Sequence, residues 1–425
     1  MTKRVIIQNA DCAYEYEPFR APFGFKGKTL SGVWQTAACL SCDTEIGVGL
    51  GIQSVLWSDG GIFAEYGEER GNELMFAVTE HAAALLRGKA LASASEAISL
   101  VFDECHSYAE KICGMRVSKT FVLNALVPID FATHQLFARM RGDKNFDLIF
   151  KGNGRQNLLV SIPLITYATP ASEVAEMARQ GVPLFKIKFG FDPLGDGDRA
   201  RMLEWDKARA LEIHEVLKEI KTPYTDCGGI LYYFDANGRY DTKERLCQLV
   251  DFLTQNGIAE RTVLFEEPFE ESNKIFIGDL PLTFAADESA HSVADVRERI
   301  ALGYRAITLK PIAKTASITA EMAKVAESLG AECFCADLTV NPTMVEWNKQ
   351  FAARLLPLKG MKIGVFESNG AQNYVHWEKM KSYLPQPAGP EAPILSLSDA
   401  FFEGGGIFDV PAHYLNLIRQ RKNRR

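Results

Sequence analysis

From about residue 160 the chain alternates short apolar runs with longer amphipathic stretches, and the alternation holds to about residue 366. Residues 160–167 read as a first strand and 171–180 as its helix; 185–189 read as a second strand, followed by a long helix over 199–220. A third strand over 230–234 precedes a helix over 243–256. Runs at 263–265, 282–285 and 306–309 give strands four to six, with helices over 292–302 and 316–329, and 332–336 and 361–366 complete eight strands. Strands that alternate with helical patterns of this length form parallel β/α units, and eight such units close into a TIM-type (β/α)8 barrel. The span of about 230 residues agrees with the roughly 250 typical of that fold.

Residues 1–155 have a different texture. Residues 33–58 alternate apolar with small or polar positions, Gly47, Gly49 and Gly51 among them, as in a short antiparallel sheet. Helical stretches follow over 72–86, 93–113 and near 127–140. The expected organisation is an α/β chain in three parts: an N-terminal α+β capping domain over 1–155, the barrel over 156–388, and a segment over 389–425 that returns to the cap.

Composition narrows the class. A chain of 425 residues with 47% hydrophobic content is long enough for a barrel and a smaller domain. A net charge of −7 argues against a nucleic-acid or anionic-membrane surface. The basic end, Arg419 to Arg425, reads as a solvated tail. No uninterrupted run of about 18 apolar residues occurs, and the first residues lack the apolar stretch of a secretory signal. Nine cysteines without framework spacing fit reduced thiols. The expected setting is cytoplasmic, with a small-molecule substrate, no nucleic acid, no membrane and a homo-oligomeric assembly.

The chemistry-bearing residues sit at strand ends, where (β/α)8 barrels place their active sites. Asp235, Glu266 and Asp287 end strands three, four and five, which are neighbours about 5 Å apart. Three such carboxylates can share one hard divalent cation, and an all-oxygen set suits Mg²⁺. Lys186 and Lys188 lie two apart on strand two and share a face. Beside each other and near a cation, at least one is expected to have a lowered pKa. Lys310 ends strand six.

These motifs resemble those of the enolase superfamily, in its mandelate racemase and muconate-lactonizing group. Lys-Ile-Lys at 186–188, Asp-Ala-Asn at 235–237, Phe-Glu-Glu-Pro at 265–268, Ala-Asp-Glu-Ser at 286–289 and Leu-Lys-Pro at 309–311 stand in that group's order and spacing. Pro-Ile-Asp-Phe-Ala at 128–132 is similar to its Asp-x-Ala helix before the barrel. The resemblance implies one Mg²⁺ per subunit on Asp235, Glu266 and Asp287. It implies Lys188 and Lys310 as acid/base groups on opposite faces of a carboxylate substrate, with Lys186 touching the substrate carboxylate and Asn237 and Glu288 behind the ligands. Lysines on strands two and six, with no histidine on strand seven, are similar to the muconate-lactonizing subgroup. The implied reaction removes the α-proton of a carboxylate to give a cation-stabilised enediolate. A racemase or epimerase of amino-acid or dipeptide type is expected first. A lyase or cycloisomerase on the same site is the alternative (dehydratase, o-succinylbenzoate synthase or muconate cycloisomerase type), and a non-catalytic binding protein would show gaps in the constellation.

Substrate choice is expected on the cap and on strands seven and eight. Residues 14–26 read as an aromatic-rich loop that either closes over an apolar substrate group or belongs to the cap core; in the first case Phe19, Phe23 and Phe25 are candidates for a lid over the barrel mouth, mobile over 19–26. Asp337 on strand seven and Glu367 and Asn369 on strand eight are candidates for binding a cationic or hydroxylated substrate group. The dipeptide epimerases of this family carry Asp-x-Asp on strand eight, so Glu-x-Asn keeps one carboxylate and loses one.

Overall fold

The computed structural model describes residues 4–25, 28–384, 392–403 and 410–424. Eight parallel strands form a closed ring. Strand one comes in two pieces, Leu158–Ile162 and Leu164–Ile165, parted by Pro163. Proline has no N–H to give to a ladder, so the strand breaks there. The first piece pairs with strand eight, Gly364–Glu367, and the second with strand two, Leu184–Lys188. One broken strand therefore closes the ring, where the sequence reading expected a single strand over 160–167.

The remaining strands follow in chain order around the ring: Leu231–Asp235, Thr262–Glu266, Phe284–Ala286, Ala306–Leu309 and Glu332–Cys335. Helices Ala171–Arg179, Arg199–Leu217, Lys243–Gln255, Val293–Ala301 and Ala316–Ser328 connect them. A further helix, Pro342–Ala352, links strands seven and eight, where the reading had none; Asn341 caps it by accepting from Met344 N, and Pro342 starts it. A short strand, Ile394–Ser396, adds antiparallel to the first piece of strand one.

The cap is a three-stranded antiparallel sheet, Asn9–Phe25, Lys28–Ser41 and Ile46–Gln53, carrying helices Gly60–Leu86, Glu96–Cys113 and Lys119–Arg141. The last of these lies directly on the third strand. A Cβ on Gly47 would come within 2.0 Å of the Ala132 carbonyl, and one on Gly49 within 2.1 Å of the Pro128 carbonyl. Only glycine allows that approach. The sequence reading began this helix near 127; it starts at Lys119 and runs through Pro128. By length and composition this helix could cross a membrane, yet its apolar window is fully buried inside the protein.

Residues 14–26 were expected as a mobile loop. Up to Phe25 they form strand instead, the outer half of a long hairpin whose register shifts between Pro18 and Phe23. That hairpin is pinned to the segment after strand eight. Val375 N donates to the Pro18 carbonyl at 3.1 Å, Arg20 Nε to the Tyr374 carbonyl at 2.8 Å, and Glu17 meets His376 Nδ1 at 2.9 Å. The side chain of Phe25 and the whole of Lys26 lie outside the described residues.

The C-terminal helix, Ala412–Arg424, packs against the cap. Arg419, Lys422 and Arg424 are exposed, as a solvated tail would have them, but Arg421 pairs with Glu80 at 3.1 Å and Lys422 with Asp11 at 3.0 Å.

Candidate active site

Strand periodicity decides which side chains face into the barrel. Leu184, Leu231, Leu264, Ala285, Ala306 and Val365 form one apolar layer inside it. Residues two or four positions further along the same strands share their face. That rule sends Lys186, Lys188, Asp235, Glu266, Asp287, Lys310 and Glu367 inward, above the apolar layer and at the strands' C-terminal ends. All seven are buried.

On one side, Asp235 meets two lysines. Its Oδ2 lies 2.6 Å from Lys188 Nζ and 3.0 Å from Lys186 Nζ. Lys188 also donates to Asn237 Oδ1 at 2.5 Å, and Asn237 Nδ2 donates to Glu288 Oε1 at 3.1 Å. Lys186 reaches Glu266 at 3.4 Å and Glu367 at 3.1 Å, over the Tyr233 ring.

On the other side, Asp287 also meets two lysines. Lys310 bonds its Oδ2, and Lys314 donates to its backbone carbonyl at 2.6 Å and to Oδ1 at 3.0 Å. Strands two and six stand four places apart in a ring of eight, so Lys188 and Lys310 approach from opposite walls.

These contacts set the charge states. Burial pushes Asp235 upward, but Lys186 and Lys188 outweigh it and hold the carboxyl at about 2. Burial likewise opposes Lys310 and Lys314 at Asp287, which they hold well below the usual carboxylate range. Glu266 goes the other way: burial, helped by Asp287 and Glu288, pushes it up to about 8 against the pull of Lys186 and Lys310. Of the pair expected to carry a lowered amine, Lys186 is not lowered. Burial pulls Lys186 down, yet Asp235, Glu266 and Glu367 raise it well above its ordinary value; Lys310 is raised by Asp287, Glu288 and Glu266 against the same penalty.

The carboxylates suit a divalent cation. Glu266, Asp287 and Glu288 each offer an oxygen within 4.8 Å of the other two. Glu266 Oε1 is buried without a hydrogen-bond partner. An all-oxygen set with an unsatisfied buried carboxylate matches the demands of a hard cation. Asp235, expected as a ligand with Glu266 and Asp287, pairs with Lys186 and Lys188 here, and Glu288 joins the other two carboxylates in the cluster. Asn237, expected behind the ligands, bridges Lys188 to Glu288.

Backbone strain gathers here. Asn237, Glu267, Thr315 and Thr339 are the non-glycine residues with positive φ among the described residues, at 44°, 41°, 68° and 55°. All four lie in segments that follow barrel strands. Such conformations persist where the surroundings over-determine them.

A cavity of about 550 Å³, including its open mouth, lies between barrel and cap. Lys186, Lys188, Asp235, Asn237, Asp287 and Lys310 form its floor, and Asp337, Glu367 and Asn369 one wall. Phe19, Phe23, Leu30, Val33 and Trp57 of the cap face them. Asp337 accepts only backbone N–H groups, from Asn369 at 2.7 Å and Val340 at 3.3 Å. Burial, reinforced by Glu367, pushes it up to about 7.

Two residues of the site, one beneath it and one on its wall, escaped the sequence reading. Lys314 follows Lys310 by one helical turn in Lys-Pro-Ile-Ala-Lys, a spacing that places both on one face and could have identified it. Trp57 comes from the distant cap, and nothing local marks it.

No protein-family model matches the sequence, and no curated protein does. Solved structures do match the fold. N-succinyl Arg/Lys racemase from Bacillus cereus superposes with a TM-score of 0.68 at 17% identity, covering 97% of this chain and 98% of that one. A dipeptide epimerase from Enterococcus faecalis, complexed with Mg and L-Leu-L-Tyr, gives 0.65 at 16% identity over 94% and 99%. A member of the enolase superfamily of unknown function, also from Enterococcus faecalis, gives 0.66 at 15% identity over 98% of both chains. The fold is therefore that of the enolase superfamily, a (β/α)8 barrel with an N-terminal α+β cap.

Proposed function

We propose that this chain is an enolase-superfamily enzyme that removes and returns the α-proton of a carboxylate substrate, as a racemase or epimerase of amino-acid or dipeptide type. The observation that carries this reading is the pair Lys188 and Lys310 on opposed strands, with the carboxylates of strands three to five between them. A racemase needs a proton donor and an acceptor on opposite faces of one carbon. The resemblance of the fold to racemases and epimerases adds to it.

Lys188 takes the proton on one face, and Lys310 delivers one to the other; the roles exchange for the opposite stereoisomer. Asn237 orients Lys188 through its Oδ1. Lys186 faces the substrate carboxylate. Asp235, Glu266 and Asp287, with Glu288 beside them, would hold a magnesium ion. Bound there, such an ion supplies positive charge that stabilises the carboxylate as negative charge builds on it. Asp337 and Glu367 favour a substrate group with N–H or O–H donors, and a cationic one fits the uncompensated Asp337. Phe19 and Phe23 cover the apolar part of the substrate, and the cap excludes water.

The test is exchange in D₂O. Amino acids, dipeptides and acid sugars are offered with Mg²⁺ and followed by mass and optical rotation. Deuterium at the α-carbon with inversion is expected. Deuterium with loss of a β-substituent, or closure of a ring, would replace the racemase by a lyase or cycloisomerase. Absence of exchange across the panel overturns the reading.

A further inference from the structure

Lys188 ends strand two, and the segment behind it is tied down on every side. Phe189 N donates to the Asp235 carbonyl at 2.8 Å, and the Phe189 carbonyl accepts from Tyr167 Oη at 3.1 Å. The Gly190 carbonyl accepts from Arg239 Nε at 3.2 Å. Gly190 N donates to the Asp206 carboxylate, 2.8 Å from Oδ1 and 3.0 Å from Oδ2. Gly190 is left-handed, with φ at 81°, and a Cβ on it would stand 2.5 Å from Arg239 Cβ. Glycine alone takes that turn without strain.

Asp206 has no part in the proposed reaction or in the carboxylate cluster. It lies on helix Arg199–Leu217 and is 0% exposed. Its Oδ2 also accepts from Tyr240 Oη at 2.8 Å. Tyr240 stands three residues beyond Asn237, the hydrogen-bond partner of Lys188, whose backbone holds a φ of 44°. One carboxylate therefore joins the segment behind Lys188 to the segment behind Asn237. Its bonds among the described residues are to these uncharged donors. Burial pushes its carboxyl up to about 7, against the pull of Tyr240, the Gly190 and Phe191 N–H groups and Arg239. Burying a carboxylate without a paired cation is costly, but an ionised acceptor holds its donors about twice as strongly as a neutral one.

Strand six is built differently. Behind Lys310 the chain enters the helix Pro311–Lys314 at once, and Ala313 N and Lys314 N donate to the Lys310 carbonyl at 2.9 and 2.7 Å. That segment is fixed by its own turn, without Asp206.

We propose that Asp206 is a positioning residue for proton transfer on the Lys188 face alone: its carboxylate fixes the Lys188–Asn237 pair relative to the substrate carbon by clamping the two segments behind it. This rests on the α-proton chemistry proposed above. A base displaced by about 1 Å loses on the order of 100-fold in rate, and the clamp acts within two residues of the base on one strand and three of its partner on the next.

The closing experiment follows deuterium exchange from each stereoisomer of the panel compound that exchanges fastest with Mg²⁺. The stereoisomer still exchanged by K310M reports the Lys188 face. Asp206→Ala is expected to lower kcat on that face about 10- to 100-fold, with KM within about twofold, and to change the Lys310 face by less than about threefold. Asp206→Asn keeps the volume and one acceptor and should recover part of the loss. Tyr240→Phe keeps the ring, removes one donor and should lower the same face about 3- to 10-fold; it decides the ratio should D206A not fold. Mg²⁺ affinity by titration calorimetry should not move. An independent reading is backbone amide exchange by mass spectrometry: the Gly190 amide should exchange at least about 10-fold faster in D206A, or in D206N should D206A not fold. Equal losses on both faces, an unchanged ratio between them, or unchanged protection of the Gly190 amide overturns the proposal. If the wild-type protein exchanges no compound of the panel, the α-proton chemistry fails, while amide exchange still decides whether Asp206 clamps the segment behind Lys188.

Discussion

On the strand-two side of the site, Asp235 meets two lysines that lie two residues apart on one strand. On the strand-six side, Asp287 meets two that lie four apart across a single helical turn. Each bay thus sets two amines against one aspartate, and each aspartate is held ionised. The second amine differs. Lys186 spreads its contacts over Asp235, Glu266 and Glu367 and lines the cavity. Lys314 is 0% exposed and, among the described residues, is bonded to Asp287 alone, through carbonyl and carboxylate. One bay can therefore offer its spare charge to a substrate, and the other keeps it for the protein. Lys310 can leave Asp287 without stranding a buried anion, because Lys314 stays.

Replacing either flanking lysine should have the largest effect. Lys188→Met and Lys310→Met are each expected to lower turnover at least about 1,000-fold. Each should leave α-proton exchange intact from one stereoisomer only, and opposite ones in the two variants. Exchange of the same stereoisomer by both variants would place the two amines on one face and break the comparison.

Lys314→Met comes next. Removing one partner of a buried ion pair costs about 3 kcal/mol or more, and urea denaturation should show a loss of that order. Lys310 should then be tied to Asp287, so exchange on its face should fall while exchange on the Lys188 face persists. An unchanged ratio between the faces would show that Lys314 serves stability alone.

A smaller effect is expected from pH. Asp337 lies at about 7, above its ordinary 3.8, through burial and then Glu367. The folded chain therefore holds this proton more tightly than the unfolded one. The stability it contributes is full below about pH 4 and is lost as pH rises to about 7. Asp337→Asn should flatten the stability profile between those values. In the wild-type enzyme, KM for a cationic substrate should fall as pH rises through 7, and D337N should lack that trend.

The smallest effect belongs to the cap hairpin. Phe23 is half-buried and packs on Phe19, with ring centroids 6.0 Å apart. Phe23→Ala is expected to raise KM about 3- to 10-fold by losing part of one apolar contact, with Mg²⁺ affinity unchanged. Unchanged kinetics on every substrate would remove the hairpin from specificity.

The barrel was legible because each strand is a short apolar run and each helix an amphipathic one; the 306–309 strand appears at its expected bounds. Closure by a broken strand was hidden, since Pro163 sits inside a run that reads as continuous. The Pro342–Ala352 helix was missed although Asn341-Pro342 is an N-terminal signal. In the cap, Tyr-Glu-Tyr-Glu at 14–17 alternates with period two, which is the pattern of a strand. Its aromatic content drew attention to a lid. The floor of the site was legible because its residues end consecutive strands. Trp57 was not, because the contact joins residues far apart in the chain and no local pattern reports it.

The helix Ala412–Arg424 has a consequence for biosynthesis. His413 meets Glu15 at 2.9 Å, and the Arg421 guanidinium lies over the Tyr14 and Phe76 rings. The outer surface of the cap sheet is thus covered by a helix that is translated more than three hundred residues after it. The barrel strands are all synthesised in that interval. The nascent cap must stay open, and shielded from other chains, for the translation time of more than three hundred residues.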